Sequence, residues 1–270
     1  MKNLNYNQFN KFIESDVIHP FYQKRLLSLK KIKLNYLIKR KNPYLFKAKN
    51  IQTAGDFSKY LLDAFLSSQE ETFFGDLLEN LAIHICKQIF DGKKAEQVKF
   101  RSVDLIFKRD NKLYIVGIKS GPNWGNSDQL NAMKGNFKKS KETLKKEGEK
   151  LRIISVNGCM YGKDNKPLKK DKKDYKRNYY KLCGQQFWEL ISADDKLYKK
   201  IIEPLDKEAK KRDEVFQSLY VKKLNEMTKD LIELFYTDND LDWNKIIDYV
   251  SKKETKKRKL KEKSSSKANK

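Results

Sequence analysis

The chain has 270 residues, of which 39% are hydrophobic and 12% aromatic, so it can bury a core in one large domain with helical additions. Its 60 basic residues exceed its 36 acidic residues and give a net charge of +24, which favours a polyanionic partner such as a nucleic acid. Two histidines and three widely spaced cysteines argue against structural zinc, histidine-metal nucleases and most Ser-His or Cys-His hydrolases.

The charge alone does not separate DNA, RNA and an anionic membrane as partners. The first ten residues are polar and no apolar run approaches the length of a membrane span, so we expect neither a signal peptide nor a membrane helix. Cysteines that form no CxxC pair fit a reducing cytoplasm. We therefore expect a cytoplasmic protein without a membrane partner.

The first part of the chain predicts helices. Residues 4–40 have helical apolar spacing that Pro20 interrupts, and Asn42-Pro43 marks a boundary. Residues 56–67 predict a helix with one apolar face.

A second helix is expected to follow directly. Ser68 and Glu71 have the spacing of a capping box, which indicates a new helix N-terminus at this point. A broad apolar face then continues to about Phe90, where Asp91-Gly92 ends the helix.

The middle of the chain predicts strands. Residues 101–108 and 113–119 read as two strands, and the apolar segment 151–156 reads as a third, buried strand. The charged stretch 134–150 between them predicts a helix.

The last part of the chain is rich in lysine. Residues 163–177 predict a loop, 185–191 and 196–205 predict short helices, and 207–250 predict one or two long amphipathic helices. Residues 252–270 carry ten basic and two acidic residues and are expected to be disordered.

The two central strands predict a hairpin with a tight turn at Asp110-Asn111. If the pairing is symmetric about that turn, the numbers of opposed residues sum to 221. One face of the hairpin is then wholly apolar, as a core face should be, and consists of Val103 with Ile118, Leu105 with Val116, and Phe107 with Tyr114.

The other face of the hairpin places an acid near an amine. Asp104 lies opposite Gly117, and Lys119 follows two residues later on the same side, so the Cα atoms of Asp104 and Lys119 should be roughly 7–8 Å apart. Charged groups on a mostly apolar face cost free energy in a purely structural site. A buried Asp-Lys salt bridge is the alternative interpretation.

Phosphodiester hydrolysis would use both groups. This reaction needs a divalent cation, a positioned water and stabilisation of the developing charge on phosphorus. Asp104 and the carbonyl oxygen of Ile118 are oxygen ligands of the kind that Mg²⁺ prefers. Lys119 would position the attacking water or neutralise the phosphate.

This arrangement resembles the PD-(D/E)xK nuclease superfamily, in which an Asp precedes an acid-x-Lys motif on the next strand. Asp104 matches the first element and Lys119 the last. The sequence departs from the pattern at the middle acid, where Gly117 stands.

In some members of that superfamily the middle acid comes from a neighbouring helix. Gly117 has no side chain and would leave room beside Asp104 for such a carboxylate. Glu79, four residues after Gly75, resembles the accessory glutamate of the family and is the favoured donor. Glu71 is the alternative acid on the same helix.

The loop directly after Lys119 is a candidate DNA-contact loop. It is rich in Gly, Asn and Ser, which permit close backbone approach and donate hydrogen bonds to phosphate. An ordinary strand-to-helix turn, with Asn126 or Ser127 as the helix N-cap, is the alternative. The candidate phosphate and DNA contacts are Ser120, Asn123, Trp124, Asn126 and Gln129.

Four ordered segments resemble a group of short type II restriction endonucleases: 42–50, 67–75, 118–126 and 184–191. The resemblance implies an α/β fold with a restriction-endonuclease-like core, in which helices flank a mixed central sheet. It also implies Mg²⁺-dependent, sequence-specific cleavage of double-stranded DNA, a homodimer, and a cognate DNA methyltransferase that acts on the same site.

The corresponding domain organisation is an N-terminal helical region (1–41), a nuclease core (42–205), a C-terminal helical region (206–251) and the basic tail (252–270). Two rival functions remain open. One is a non-enzymatic, lysine-rich nucleic-acid-binding protein, and the other is a repair or junction-resolving nuclease of the same superfamily.

Overall fold

A computed structural model describes residues 2–164, 179–206 and 209–253. Most of the predicted lysine-rich loop and nearly all of the predicted disordered tail lie outside these residues. The chain divides into two compact units, a sheet unit (Met1–Lys31 with Leu66–Tyr220) and a helical unit (Ile32–Phe65 with Val221–Lys270). The sheet unit contains every candidate site residue.

The helices in the described part of the chain are α1 (Tyr6–Phe12), a π-helical segment (Ile13–Ile18), α2 (His19–Lys31), α3 (Leu34–Ile38), α4 (Pro43–Ala48), α5 (Ala54–Phe90), α6 (Ser127–Lys146), α7 (Gln185–Ser192), α8 (Leu197–Lys200), α9 (Ile202–Asp206), α10 (Ala209–Phe235) and α11 (Trp243–Ser251). None of them combines the length and apolarity needed to cross a membrane.

A mixed sheet forms the centre of the sheet unit, as expected. Its strands are β1 (Lys93–Lys94), β2 (Leu105–Arg109), β3 (Lys112–Lys119), β4 (Arg152–Cys159) and β5 (Tyr180–Cys183), in that order across the sheet. The pairs β1–β2 and β2–β3 are antiparallel, whereas β3–β4 and β4–β5 are parallel. The sequence does not predict the edge strands β1 and β5, because strands of two and four residues carry little periodic signal.

Helices cover both faces of this sheet and bury a hydrophobic core on each. One core joins α5, α7 and the π-helical segment to the face that carries Leu105, Val116 and Ile118. The other joins α6, through Met133 and Phe137, to the opposite face. The sheet is therefore a middle layer whose ends remain free to carry functional groups.

The predicted hairpin register is confirmed from β2 to β3: Leu105 pairs with Val116, Ile106 with Ile115, and Phe107 with Tyr114. Asp110 and Asn111 both have positive φ, at 49° and 56°, as a two-residue type I′ turn requires. The expected pairing of Val103 with Ile118 is wrong. Val103 precedes β2 and packs into the core on the α6 face, because the chain turns at Ser102 with φ of 61°.

The helix break expected at Ser68 is also wrong. Helix α5 continues through 37 residues, and Thr72 Oγ1 donates to the carbonyl oxygen of Ser68 inside it. Serine is only a moderately poor helix former, and the apolar residues on both sides keep one helical periodicity. Tertiary packing of that face therefore outweighs the local signal.

Pro20 was expected to interrupt the N-terminal helical stretch, and the structure shows a change of helix type directly before it without a break in the helix. Pro20 is the second residue of α2, which directly follows the π-helical segment, in which the N–H of His19 bonds to the carbonyl of Glu14. The wider π turn removes the clash that proline makes with the preceding turn of an α-helix.

The helical unit has its own small core. Phe57 packs against Phe46 and Trp243, and Tyr236 Oη accepts a hydrogen bond from the N–H of Ala54. Strands β6 (Tyr236–Thr237) and β7 (Asp240–Leu241) form a short hairpin between α10 and α11. The long amphipathic stretch is thus two helices separated by a hairpin.

Candidate active site

Asp104 lies immediately before β2 and is held rigidly. Its N–H donates to the carbonyl of Val116 at 2.8 Å. Val116 is already the ladder partner of Leu105, so Asp104 departs from the regular β2–β3 register at this end. Its carboxylate accepts two hydrogen bonds, one from the backbone N–H of Ile118 to Oδ2 at 2.7 Å and one from Gln97 Nε2 to Oδ1 at 3.0 Å. With 9% of the residue exposed, this is a nearly buried carboxylate with a defined orientation.

Lys119 ends β3 beside this carboxylate, as the hairpin register predicts. Its Nζ lies 3.9 Å from Asp104 Oδ2, which is close enough for ion pairing but too long for a direct hydrogen bond. The same Nζ lies 5.3 Å from the centre of the Trp124 ring. The ammonium group is therefore placed between an acid and an aromatic face, with its side chain about one third exposed.

Helix α5 passes close to the end of β3. A Cβ built on Gly75 would lie 2.6 Å from Ser120 Oγ, so this helix passes directly against the residue that follows Lys119. Glu79 is four residues further along the helix, on the same side. Its carboxylate lies 3.7 Å from Lys94 Nζ.

The surrounding charges act on the pKa of Glu79. Burial raises the pKa of its carboxyl group above the usual range, and the negative charge of Asp104 raises it further, whereas Lys94 and Lys119 lower it. The carboxylates of Glu79 and Asp104 and the ammonium groups of Lys94 and Lys119 thus belong to one set of interacting charges. Glu71 is exposed and eight residues earlier, which is about 12 Å along the helix.

Gly117 does not leave the room that was expected, and that expectation is wrong. A Cβ at this position would lie 2.6 Å from the carbonyl oxygen of Ser102 and 3.4 Å from Phe137 Cζ. The backbone that leads into Asp104 therefore occupies the space where a strand acid would begin. A second carboxylate beside Asp104 would therefore have to come from another element.

The carbonyl of Ile118 faces the same side as its N–H, because both groups of one strand residue point to the same edge. That N–H points to Asp104, whereas the carbonyl of the next residue, Lys119, accepts from Met160 on the β4 side. The carbonyl oxygen of Ile118 thus points to the edge of β3 on which Asp104 lies.

The family model for the type II restriction endonuclease EcoO109I matches residues 7–213, which is most of the chain and includes every residue of this site. The chain belongs to the EcoO109I family of type II restriction endonucleases. It is therefore a nuclease, and it binds DNA. No curated protein matches the chain.

The loop that follows Lys119 in this endonuclease is partly a helix cap. Asn126 is the N-cap of α6, and it forms a capping box with Gln129: each side chain accepts a hydrogen bond from the other residue's backbone N–H, both at 3.0 Å. The alternative of a strand-to-helix turn is therefore confirmed for these two residues. Their side-chain oxygens bond within the protein.

The other loop residues lie closer to the site of the endonuclease. Ser120 packs against Gly75, and Trp124 contacts Lys119. Asn123 and Trp124 line a cavity between this loop and the sheet. The ring of Tyr161 fills the space beside Gly121, where a Cβ would lie 2.7 Å from it.

The sequence of this endonuclease did not predict the role of Gln97 beside Asp104. Its Nε2 donates both to Asp104 Oδ1 and to the carbonyl of Val103, so it fixes the carboxylate and the turn before β2 at once. Gln97 lies in the irregular segment between β1 and β2. No periodicity there marks a functional residue, so only the tertiary contact reveals it.

Proposed function

We propose that this protein hydrolyses phosphodiester bonds of double-stranded DNA at a specific sequence, with Mg²⁺, as a PD-(D/E)xK nuclease. Asp104, Glu79 and Lys119 form the active site. The observation that carries this proposal is the 3.9 Å approach of Lys119 Nζ to the Asp104 carboxylate, beside a glycine that occupies the position of the usual strand acid. The charges of Asp104 and Lys119 both act on Glu79 of α5, which supports Glu79 as the second acid.

The residues present fit a magnesium ion. The raised pKa of Glu79 reports a carboxylate that is partly desolvated and repelled by Asp104, and a divalent cation between the two would relieve that repulsion. Within the described ranges no group of three or more acidic, histidine or cysteine side chains surrounds one point. Two carboxylates with the Ile118 carbonyl suit Mg²⁺, which usually keeps several of its water ligands.

Asp104 and Glu79 would hold the ion, which supplies a Lewis acid and lowers the pKa of bound water when present. The hydrogen bonds from Ile118 and Gln97 leave lone pairs on both oxygens of Asp104 and fix their direction. Lys119 positions the attacking water or offsets the charge that develops on the phosphate. The face of Trp124 stabilises its ammonium group beside the acids.

Two further elements of the proposal concern partners. A duplex with a two-fold symmetric site is matched by a two-fold symmetric protein, so the enzyme is expected to act as a homodimer. A DNA methyltransferase that modifies the same sequence is its expected companion in a cytoplasmic restriction-modification system, without a need for direct contact.

The test is cleavage of plasmid DNA by the purified full chain with and without Mg²⁺, followed by mapping of the ends. Discrete fragments with constant end sequences are expected. Lys119→Ala and Asp104→Ala should abolish cleavage while DNA binding, measured by mobility shift, stays within a few-fold of wild type. Lys108→Ala, at an exposed position towards the other end of β2, is the control and should cut normally.

The other outcomes discriminate between the rivals. Structure-selective nicking without constant ends would support a repair or junction-resolving nuclease. Binding without cleavage under all metal conditions would support a non-enzymatic DNA-binding protein. Full cleavage by Lys119→Ala or Asp104→Ala would remove the site assignment.

A further inference from the structure

A row of paired residues crosses the sheet next to Lys119. Gly117, two residues before Lys119 and on the same face of β3, pairs with Asn157 on β4, and Asn157 pairs with Lys181 on β5. Because paired residues share a face, the candidate active site is followed by a second set of polar groups on the same face of the sheet. Nothing in the proposed hydrolysis uses Asn157 or Lys181.

Asn157 is nearly completely buried, with 1% of the residue exposed, yet neither its Nδ2 nor its Oδ1 has a hydrogen-bond partner. This conclusion does not depend on which amide atom is nitrogen, because both are unpaired. A buried carboxamide without partners costs free energy, so its retention calls for an explanation.

A hydrogen-bond partner for Asn157 could be supplied by a ligand in the cavity that this residue lines. Asn157 lines a cavity of about 530 Å³ beside the loop of the active site, a volume within the range of roughly 300–1,000 Å³ that is typical of ligand sites. Trp124 lines the same cavity, and its buried Nε1 also lacks a partner. Two independent polar side chains are thus unsatisfied at one cavity.

Lys181 ties strand β5 to the loop beside this cavity. Lys181 Nζ donates to the carbonyl of Pro122 at 2.9 Å and lies 3.6 Å from Asp164 Oδ1, so β5 supports the loop that carries Trp124. The cavity is lined by Pro122, Asn123, Trp124, Gly125, Leu130, Lys134, Asn157, Asp164, Tyr179 and Lys181.

The chemistry of these groups excludes simple ions. An anion such as phosphate would satisfy N–H donors but would face the amide oxygen of Asn157 and the carboxylate of Asp164. A metal cation would face two lysines, Lys134 and Lys181. A flat ligand with a donor next to an acceptor would satisfy the carboxamide, accept from Trp124 and lie against aromatic rings.

A nucleobase has this combination of groups. Its edge pairs a donor and an acceptor at the spacing that an asparagine carboxamide matches, and aromatic rings stack on its faces. Trp124 joins the two places, since its ring lies 5.3 Å from Lys119 Nζ and the same residue lines the cavity.

We propose that the Asn157–Trp124 cavity binds one unstacked base of the DNA substrate, next to the active site. The proposal rests on the proposed function for its choice of DNA as the source of the base. Asn157 hydrogen-bonds the edge of the base, Trp124 donates its N–H, and the lysines at the cavity are placed for the attached phosphate.

The test observes Trp124 directly, in the full chain without metal. The protein has three tryptophans, so its ¹H–¹⁵N spectrum contains three indole signals, and Trp124→Phe identifies the one that belongs to the cavity. The probes are the four deoxynucleoside monophosphates, inorganic phosphate, and a short single-stranded oligonucleotide. At least one nucleotide and the oligonucleotide should shift the Trp124 signal, and inorganic phosphate should not.

Asn157→Leu removes both unpaired amide atoms at similar volume, so this variant should fold at least as stably as wild type. It should weaken the nucleotide-induced shift about 5- to 150-fold, which is the contribution of one paired base edge. Ser155→Ala is the matched control, because Ser155 is 1% exposed with an unpaired Oγ on the same face of β4 but does not line the cavity. Asn157→Ala replaces the leucine variant if the latter misfolds.

Four results would overturn the proposal: no shift with any nucleotide, an equal shift with inorganic phosphate, an unchanged affinity in Asn157→Leu, or a shift with mononucleotides that the oligonucleotide fails to reproduce. None of these measurements needs catalysis. A negative result at the cavity therefore does not bear on Mg²⁺-dependent cleavage, and a failure to cleave DNA does not bear on nucleotide binding at the cavity.

Discussion

Replacing Gly117 with alanine tests why the strand acid is absent from this site. The added Cβ would lie 2.6 Å from the carbonyl oxygen of Ser102, about 0.8 Å closer than ordinary contact begins at 3.4 Å. Neither group can rotate away, because one is a Cβ fixed on the backbone and the other is a backbone oxygen. Phe137, buried on the other side at 3.4 Å, limits movement of the strand.

Overpacking of this kind costs about 1–3 kcal/mol. For a domain of this size each kcal/mol lowers the melting temperature by roughly 2–4 °C, so Gly117→Ala should lower it by about 2–12 °C. Gly135→Ala is the matched control, since Gly135 lies inside α6 with nothing within 4 Å of its Cβ position. That substitution should raise stability by about 0.5–1 kcal/mol through helix propensity.

The assay is thermal unfolding of the metal-free variants followed by circular dichroism, together with plasmid cleavage. A second variant extends the test to function: Gly117→Asp should fail to restore cleavage to Glu79→Gln, because its carboxylate cannot start from a blocked position. A melting temperature for Gly117→Ala at or above that of wild type would refute the steric reasoning. Rescue of Glu79→Gln by Gly117→Asp would refute it as well.

Three other predictions concern buried groups. The pKa of Glu79 is raised above its usual value near 4.5, so the folded protein favours the protonated carboxyl group and loses stability as the pH rises through the raised pKa. Glu79→Gln should abolish cleavage. It should also melt at a higher temperature than wild type at pH 7, and this difference should vanish at pH 4. Gln97→Leu removes a hydrogen bond that orients the carboxylate of Asp104, so it should slow single-turnover cleavage roughly 10- to 100-fold. DNA binding should be unchanged in a mobility-shift assay. Cleavage at the wild-type rate would exclude this positioning role. Burial raises the pKa of the Cys86 thiol far above its usual range and that of the Cys159 thiol to about 12. A disulfide reagent at pH 8 should therefore label both thiols only after the protein is unfolded in urea. Rapid labelling of the native protein would contradict their burial.

The core hairpin illustrates what local pattern can determine. The alternation from Leu105 to Phe107, the turn residues Asp110 and Asn111, and the absence of any competing turn leave one register for two adjacent strands. Because that register fixes which side chains share a face, it also predicts that Asp104 lies near Lys119, and the two side chains do meet. Family membership agrees with the ordered segments around the hairpin, within the matched range 7–213.

Local signals failed where packing competes with them. The Ser68–Glu71 pattern predicts a helix start, but the apolar face on both sides of it packs as one helix and overrides a weak preference. The two short edge strands form because β2 and β4 offer them unpaired backbone groups, and such a cause is invisible in a segment of two to four residues.

The sequence by itself determined the central hairpin, the acid and amine it brings together, and the glycine between them, because each depends on spacing along one continuous stretch of chain. Only the tertiary structure decided that Ser102 blocks the strand position of the missing acid, that the charge of Asp104 acts on Glu79, that Gln97 hydrogen-bonds Asp104, and that Asn157 lines a cavity. These contacts join different elements of the fold, and their geometry is set by how helices, loops and sheet pack rather than by any local preference.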